Sequence, residues 1–173
     1  AVFSRANYGS IKKVLEELKK SKKIELQILV GASANIEKFG LISETIKKDK
    51  FKISDEIFFL VEGHTPITMV KTTALGMIET ATALKRLKPD IVLTVGDRHE
   101  TLATVVSAAY MNIPVAHTMG GEISGTIDES VRHAITKFSH IHFAANNKAK
   151  SNIIKMGENK KNVFNVGCPR IDL

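Results

Sequence analysis

Short apolar stretches rich in strand-forming residues alternate with longer amphipathic stretches along this 173-residue chain. The stretches IVLTV and IPVAH are nearly continuous in apolar residues, which is typical of strands buried on both faces. Ser10–Lys20 instead repeats its apolar residues at helical spacing, with Ile11, Leu15 and Leu18 on one side. This alternation predicts a parallel sheet with right-handed crossovers and helices on both faces. We therefore expect an α/β fold, a Rossmann-like doubly wound parallel sheet, in one compact domain.

These patterns predict six strands and six helices. The expected strands are Glu25–Val30, Glu56–Val61, Ile91–Val95, Pro114–His117, Ile141–Ala144 and Val163–Val166. The expected helices are Ser10–Lys20, Ile36–Lys48, Thr65–Leu87, Glu100–Met111, Asp128–Phe138 and Lys148–Met156. Pro66 suits the first turn of the third helix, and Pro89 follows its end.

The net charge of +7 would suit nucleic acid or an anionic membrane surface as a partner. Most of the basic residues are lysines near helix ends and loops, however, and there is no Trp and only two Tyr to stack on bases. No apolar run approaches the roughly 20 residues that cross a bilayer, and the opening residues lack the pattern of a signal peptide. We therefore expect neither nucleic acid nor a membrane as a partner.

The single cysteine, Cys168, excludes an internal disulfide framework and a cysteine-rich zinc site. A reducing, cytoplasmic location fits this composition, with Cys168 as a packed small thiol. Five of the six histidines lie between His99 and His142, but they form no H-E-x-x-H motif. We therefore expect no metal site.

In this fold class, ligands bind at the carboxyl ends of the strands. The segments that follow the expected strands, and the opening segment, are SRANYG, GASAN, VEGHT, GDRHE, MGGEISGTID and GCPR. In GDRHE, Gly96 permits a tight turn, Asp97 can act as a base or bind hydroxyls, and Arg98 can pair with phosphate. Alternatively, Asp97 only caps the following helix.

The segment Met119–His133 contains three glycines in seven residues. They bring the backbone close to a ligand, or they form a mobile loop. Asp128 and Arg132 then lie four residues apart on one helix face, and Glu129 and His133 form a second such pair. The first pair either positions an acid/base carboxylate beside a phosphate-binding guanidinium or is a local salt bridge.

The segment Ser4–Ser10 offers backbone N–H groups at a helix start, with Arg5 and Ser10 beside them, as a possible phosphate site. It lacks G-x-G-x-x-G, which argues against a dinucleotide site, and the chain contains no G-x-x-x-x-G-K-[ST].

Taken together, RANYG, GDR, GGEISGTIDESVRHAITK and GCPRID resemble the hydrolysing UDP-N-acetylglucosamine 2-epimerases of sialic acid biosynthesis. The resemblance runs the length of the chain, and the motif at Gly120–Lys137 is specific to that family. It implies a GT-B arrangement of two Rossmann-like domains with the active site between them. Residues 1–173 would be the N-terminal domain, without a few opening residues and without the C-terminal domain, so this chain alone is expected to be inactive.

The resemblance also implies the chemistry. A proton leaves C2 of the sugar, UDP leaves C1, and water adds to give N-acetylmannosamine and UDP, without a redox cofactor. Motif matching makes Asp97 and Asp128 catalytic carboxylates, and Arg5, Arg98 and Arg132 substrate-binding residues. A UDP-sugar and further copies of the chain, in a dimer or tetramer, are the expected partners.

Three positions depart from the family pattern. Met119 stands where the family has the first glutamate of E-G-G-E, Asn7 replaces the aspartate of R-A-D-Y, and Ser33 replaces the histidine of G-x-H. These departures leave three hypotheses open. The protein acts on another UDP- or GDP-linked amino sugar, it uses Glu122 in place of the lost acid, or it is a catalytically silent sugar-nucleotide-binding or regulatory module.

Overall fold

A computed structural model describes residues 1–63 and 65–172, so His64 of the VEGHT segment and Leu173 lie outside the described residues. The helices are α1 Arg5–Lys20, α2 Ile42–Lys48, α3 Pro66–Leu87, α4 His99–Tyr110, α5 Ile127–Phe138 and α6 Asn147–Lys155. The strands are β1 Leu29–Val30, β2 Asp55–Glu56, β3 Val92–Val95, β4 Val115–Thr118, β5 Ile141–Ala144 and β6 Val163–Asn165. Within the described residues, no helix is long and apolar enough to cross a membrane.

The strands pair in parallel in two groups, β1 with β2 and β3-β4-β5-β6. The opening segment lies between these groups: Val2 forms a parallel bridge with Val30, and the backbone nitrogen of Ala1 donates to the carbonyl of Leu93 at 3.0 Å. The order is therefore β2-β1-opening segment-β3-β4-β5-β6. The strand order reverses at the opening segment, as in doubly wound folds, and the predicted fold class is confirmed.

The sheet is covered on both faces. Val30 packs into an apolar cluster with residues of α1 and α2, whereas the adjacent Leu29 packs with Ala83 of α3 on the other face. Residues of α3, α4 and α5 share a cluster that includes Val115. Because all the strand pairings are parallel, the carboxyl ends of the strands lie at one edge of the domain.

Several predicted elements in the first half have different bounds in the structure. The strand expected over Glu25–Val30 is limited to Leu29–Val30. The strand expected over Glu56–Val61 ends at Glu56, and the N–H of Val61 donates to the hydroxyl of Thr72 on α3 instead of to a neighbouring strand. The helix expected over Ile36–Lys48 is interrupted, because Gly40 and Leu41 have φ of +92° and +42°. Two 3₁₀ turns, Ala32–Asn35 and Glu37–Phe39, precede α2.

The first helix begins at Arg5, five residues earlier than predicted. Ser4 is its N-cap, and the Ser4 hydroxyl accepts a hydrogen bond from the N–H of Asn7 at 3.2 Å. Arg5 is therefore the first helical residue and is exposed at the carboxyl edge of the sheet.

Candidate active site

Arg132 joins the turn after β3 to the turn after β4. Its guanidinium is buried, with 6% of the residue exposed. One nitrogen donates to the carboxylate of Asp97, and the other donates to the carbonyl of Glu122 at 2.7 Å. A buried guanidinium with several acceptors holds both turns in fixed positions.

Arg132 forms its ion pair with Asp97 and not with Asp128, so the alternative of a local salt bridge on α5 is wrong. The Arg132 side chain pairs with Asp97, while Asp128 is exposed in the first turn of α5. The second pair on that helix does form, with 3.7 Å between Nε2 of His133 and a carboxylate oxygen of Glu129. Glu129 also accepts from the N–H groups of Ser124 and Gly125, and these bonds lower its pKa.

Asp97 is not the cap of α4. The N-cap residue is Arg98, and its side chain makes no capping hydrogen bond. The Asp97 carboxylate is half-buried and turned to Arg132 at the carboxyl end of β3. The interpretation of Asp97 as a simple helix cap is therefore wrong, and the carboxylate is held where a ligand is expected.

Glu100 is a buried carboxylate that the sequence analysis did not single out. Only 1% of the residue is exposed, and it accepts two hydrogen bonds from Arg98 at 3.0 Å each. These bonds, together with the nearby charges of Asp128 and Asp97, raise the pKa of Arg98 above its usual value. One sequence feature could have identified Glu100: it is the single acidic residue of α4, and it lies on the side of that helix that the apolar pattern buries.

Arg5 and Arg98 line one cavity of about 360 Å³. Its wall also includes Ser4, Ser33 and Glu100, so the first turns of α1 and α4 both face it. The structure thus brings together two of the predicted phosphate-binding arginines. A larger apolar cavity, of about 580 Å³, lies among the amino ends of the strands, away from the candidate site residues.

The glycine pair after β4 is required by packing. A Cβ on Gly120 would lie 2.9 Å from Nδ1 of His117, and one on Gly121 would overlap the carbonyl of Ala149 on α6. Gly121 also has φ of +78°, and its carbonyl accepts from Asn152 at 2.9 Å. Neither a mobile loop nor a close approach to ligand is needed to explain these two glycines.

His117 supports the turn that carries Asp97. Its Nε2–H donates to the carbonyl of Gly96 at 2.7 Å, which leaves Nδ1 as an acceptor. Nδ1 is buried and has no hydrogen-bond partner within residues 1–63 and 65–172. Burial lowers the pKa of His117 to about 4. His142, its register partner on β5, is also buried, and burial lowers its pKa as well, although Glu158 opposes that shift.

Two of the residues that depart from the family pattern, Asn7 and Ser33, have hydrogen-bond partners in the structure. The Asn7 amide donates to the carbonyl of Val95 at 3.2 Å, and its oxygen accepts from the N–H of Phe3 at 3.3 Å. An aspartate could not donate the first bond. The Ser33 hydroxyl donates to the carbonyl of Phe3 at 3.0 Å.

Met119, the third departure, directly follows β4 with φ of +63° and packs against the apolar cluster that contains Val95. Its thioether can move no proton. The half-buried Glu122 is three residues further along the same turn. Within the described residues, no three His, Cys, Asp or Glu side chains form a group that could hold a metal ion.

Comparison with known proteins decides the family. Residues 16–173 match the family model described as UDP-N-acetylglucosamine 2-epimerase. The chain belongs to this family. It is 39% identical over 169 residues to UDP-N,N'-diacetylbacillosamine 2-epimerase (hydrolyzing) of Legionella pneumophila, covering 98% of this chain and 45% of that protein. It is 35% identical over 165 residues to GDP/UDP-N,N'-diacetylbacillosamine 2-epimerase (hydrolyzing) of Campylobacter jejuni, covering 95% of this chain and 43% of that protein.

The epimerase fold is also shared with solved structures. The crystal structure of UDP-GlcNAc 2-epimerase from Neisseria meningitidis bound to UDP-GlcNAc superposes with a TM-score of 0.86 at 22% identity. That match covers 99% of this chain and 46% of the other. Structural relatives of this kind have the GT-B architecture, so the expectation of one half of a GT-B fold is confirmed. The chain spans less than half the length of these relatives.

Proposed function

We propose that the protein containing this chain is a hydrolysing nucleotide-sugar 2-epimerase that acts on a UDP-linked 2-acetamido sugar. The observation that carries the proposal is the Asp97–Arg132 pair at the carboxyl edge of the sheet in a chain of this family. Residues 1–173 would supply the N-terminal wall of the cleft, and the rest of the protein the second wall. A cytoplasmic location stays a prediction from the single cysteine.

The reaction requires two chemical stages. In the first, a base removes the proton on C2 while the bond from C1 to the diphosphate breaks, which leaves a double bond between C1 and C2 and free UDP. In the second, the hydroxyl of water adds to C1 and a proton returns to C2 on the opposite face. The sum is nucleotide sugar plus water giving the 2-epimeric sugar plus UDP.

The site offers groups for both stages. We assign Asp97 as one acid/base carboxylate, oriented by Arg132, and Asp128 as a second at the start of α5. Glu122 is assigned the place of the carboxylate that Met119 cannot supply. Arg5 and Arg98, which line one cavity, are assigned to anionic oxygens of the substrate, since developing charge on a leaving diphosphate calls for cations.

Two substrates have support. The names of the relatives from Legionella and Campylobacter favour UDP-N,N'-diacetylbacillosamine, and the altered position Met119 agrees with a changed sugar. UDP-N-acetylglucosamine is the second candidate, because it is the substrate named for the family and is bound in a structural relative. The sialic acid pathway expected from the motifs belongs to this second candidate.

The test is turnover by the full-length protein with each sugar nucleotide. We expect UDP release, and deuterium at C2 of the free sugar when the reaction runs in D₂O. Asp97→Asn and Asp128→Asn are expected to lower kcat by at least about 100-fold. Asp90→Asn, an exposed carboxylate beside the amino end of β3, is the matched control and should keep the wild-type rate.

A catalytically silent sugar-nucleotide-binding module is the alternative, and the loss of a carboxylate at Met119 favours it. Calorimetric titration separates the two. Saturable binding of both UDP-sugars without UDP release would support the silent module and contradict the enzyme.

A further inference from the structure

Glu100 is a buried charged side chain that has no part in the proposed reaction. It is the second residue of α4, and 1% of it is exposed. Within the described part of the chain, Arg98 alone donates hydrogen bonds to its carboxylate. A buried carboxylate is costly without a cation beside it, so the position of Glu100 depends on Arg98.

This contact occupies one edge of the Arg98 guanidinium. Nε and Nη2 each donate to one oxygen of Glu100 at 3.0 Å, which is the two-point geometry of a strong arginine–carboxylate pair. The other edge, formed by Nη1 and Nη2, keeps N–H groups that have no partner within residues 1–63 and 65–172. We call it the outer edge. Two N–H groups in this arrangement match two oxygens of a phosphate group.

The start of α4 allows Arg98 to reach Glu100. Arg98 is the N-cap, with φ of −79° and ψ of 154°, and its side chain makes no capping hydrogen bond. It folds back over the first turn instead. Nδ1 of His99 lies 3.3 Å from the same carboxylate, but burial lowers the pKa of His99. The positive charge that faces Glu100 near neutral pH is therefore that of Arg98.

The second arginine of the cavity is not held in this way. Arg5 and Arg98 both line the cavity of about 360 Å³. Arg5 is exposed, and its side chain forms no hydrogen bond or ion pair with another described residue. Arg98 is held by Glu100 although 48% of its side chain is exposed. A side chain that is fixed before a ligand binds loses less conformational entropy on binding.

Asp97 and Arg98 are consecutive residues, and a buried residue of opposite charge holds each of them. Arg132 donates to the carboxylate of Asp97, and Glu100 accepts from Arg98. The proposed reaction assigns Asp97 to the sugar and Arg98 to the diphosphate. The two buried partners therefore set the distance between the groups that act on either side of the bond that breaks.

We propose that Glu100 is a positioning residue, which holds the outer edge of Arg98 towards the cavity, in place for the diphosphate of the substrate. This inference rests on the proposed function, because it takes a nucleoside diphosphate as the ligand. Glu100 acts through Arg98 and needs no contact with the substrate. Its own negative charge repels a diphosphate, so an effect through orientation and an effect through charge alone have opposite signs.

Calorimetric titration of the full-length protein with UDP and with uridine tests this role. Glu100→Gln keeps the size of the side chain but leaves one acceptor oxygen instead of two. We expect it to raise the Kd of UDP at least about tenfold and to leave the Kd of uridine, which has no phosphate, within about twofold. General damage to the fold would weaken both ligands together, and the loss of a repulsive charge alone would strengthen UDP binding.

Arg98→Lys tests whether Glu100 acts through the guanidinium. Lysine keeps a positive charge beside the buried carboxylate, but it is a point charge that cannot bind at two edges. We expect Arg98→Lys to raise the Kd of UDP at least about tenfold, and Glu100→Gln to add less than about twofold in that background. The control is Glu158→Gln, which breaks the ion pair with Lys137 in the loop after α6 and should leave the Kd of UDP unchanged.

Three outcomes would overturn the inference. They are an unchanged or lower Kd of UDP in Glu100→Gln, an equal loss of UDP and uridine binding, and a large further loss when Glu100→Gln is added to Arg98→Lys. If the wild type turns over a UDP-sugar while one of these is observed, the positioning role alone fails. A wild type that binds neither UDP nor a UDP-sugar would overturn the proposed function as well.

Discussion

Arg132 donates to the carboxylate of Asp97, 35 positions earlier in the chain, and not to Asp128 one turn before it on the same helix. The same guanidinium also holds the carbonyl of Glu122. One side chain of α5 therefore ties together the two turns that carry Asp97 and Glu122, in addition to the bonds that His117 makes to the first turn and Asn152 to the second.

Removing this guanidinium should destabilise the fold. We expect Arg132→Met to lower the free energy of unfolding by about 2–3 kcal/mol, since it leaves Asp97 and the Glu122 carbonyl without their partner while Asp97 retains some contact with water. Arg86→Met breaks the exposed pair of Arg86 with Asp55 and should cost less than about 1 kcal/mol. Urea denaturation of the two variants measures the difference; equal losses would contradict the structural role of Arg132.

Gly121→Ala should be far more damaging than Gly125→Ala. Both glycines have positive φ, +78° and +72°, so each substitution carries a backbone cost of about 1–2 kcal/mol. Only at Gly121 does the added methyl overlap another atom, the carbonyl of Ala149. We expect a total loss of about 3 kcal/mol or more at Gly121, measured by thermal or urea unfolding. A similar loss at Gly125 would show that packing against α6 is not the cause.

Acid should weaken the fold through His117. Burial lowers its folded pKa to about 4, below the ordinary value of 6.5, so the unfolded chain binds the proton more readily. The stabilising contribution of the neutral imidazole is therefore complete above about pH 6.5 and is lost as the pH falls towards 4, by roughly 3 kcal/mol in all. We expect His117→Gln to flatten this decline in urea denaturation, whereas His133→Gln, at a half-buried position, should preserve it.

Glu122 should matter to turnover in the full-length protein because of Met119. We expect Glu122→Gln to slow UDP release by at least about 100-fold, since it removes the carboxylate assigned to the lost family position. Adding Met119→Glu to the Glu122→Gln variant should raise its rate of UDP release at least about tenfold. Glu37→Gln, exposed and outside the site, is the control. If Glu122→Gln retains the wild-type rate, the assignment of Glu122 is wrong.

Local sequence signals predicted the second half of the fold better than the first. The strand Ile141–Ala144 has the predicted bounds, because its apolar run and its flanking polar residues agree with its burial. The interruption at Gly40 and Leu41 was missed, since their left-handed backbone depends on contacts that a helical period does not reveal.

The candidate site was likewise only partly predictable from local sequence signals. Motifs identified Asp97 and Arg132 separately, but their pairing depends on how the turns after two strands meet α5. The packing role of Gly121 likewise depends on α6, which lies nearly 30 residues further along the chain. Chemistry at each position was predictable, whereas contacts between distant segments were not.

The opening segment has a consequence for how this domain responds to a ligand. The β1–β2 pair and the four strands from β3 onward make no strand pairing with each other, and Val2 with its neighbours links them. The two groups of strands are therefore joined through the opening segment, at the point in the sheet where the strand order reverses and ligands are expected. A ligand that bound there in contact with both groups of strands would stabilise them together against unfolding, by an amount set by its concentration and affinity.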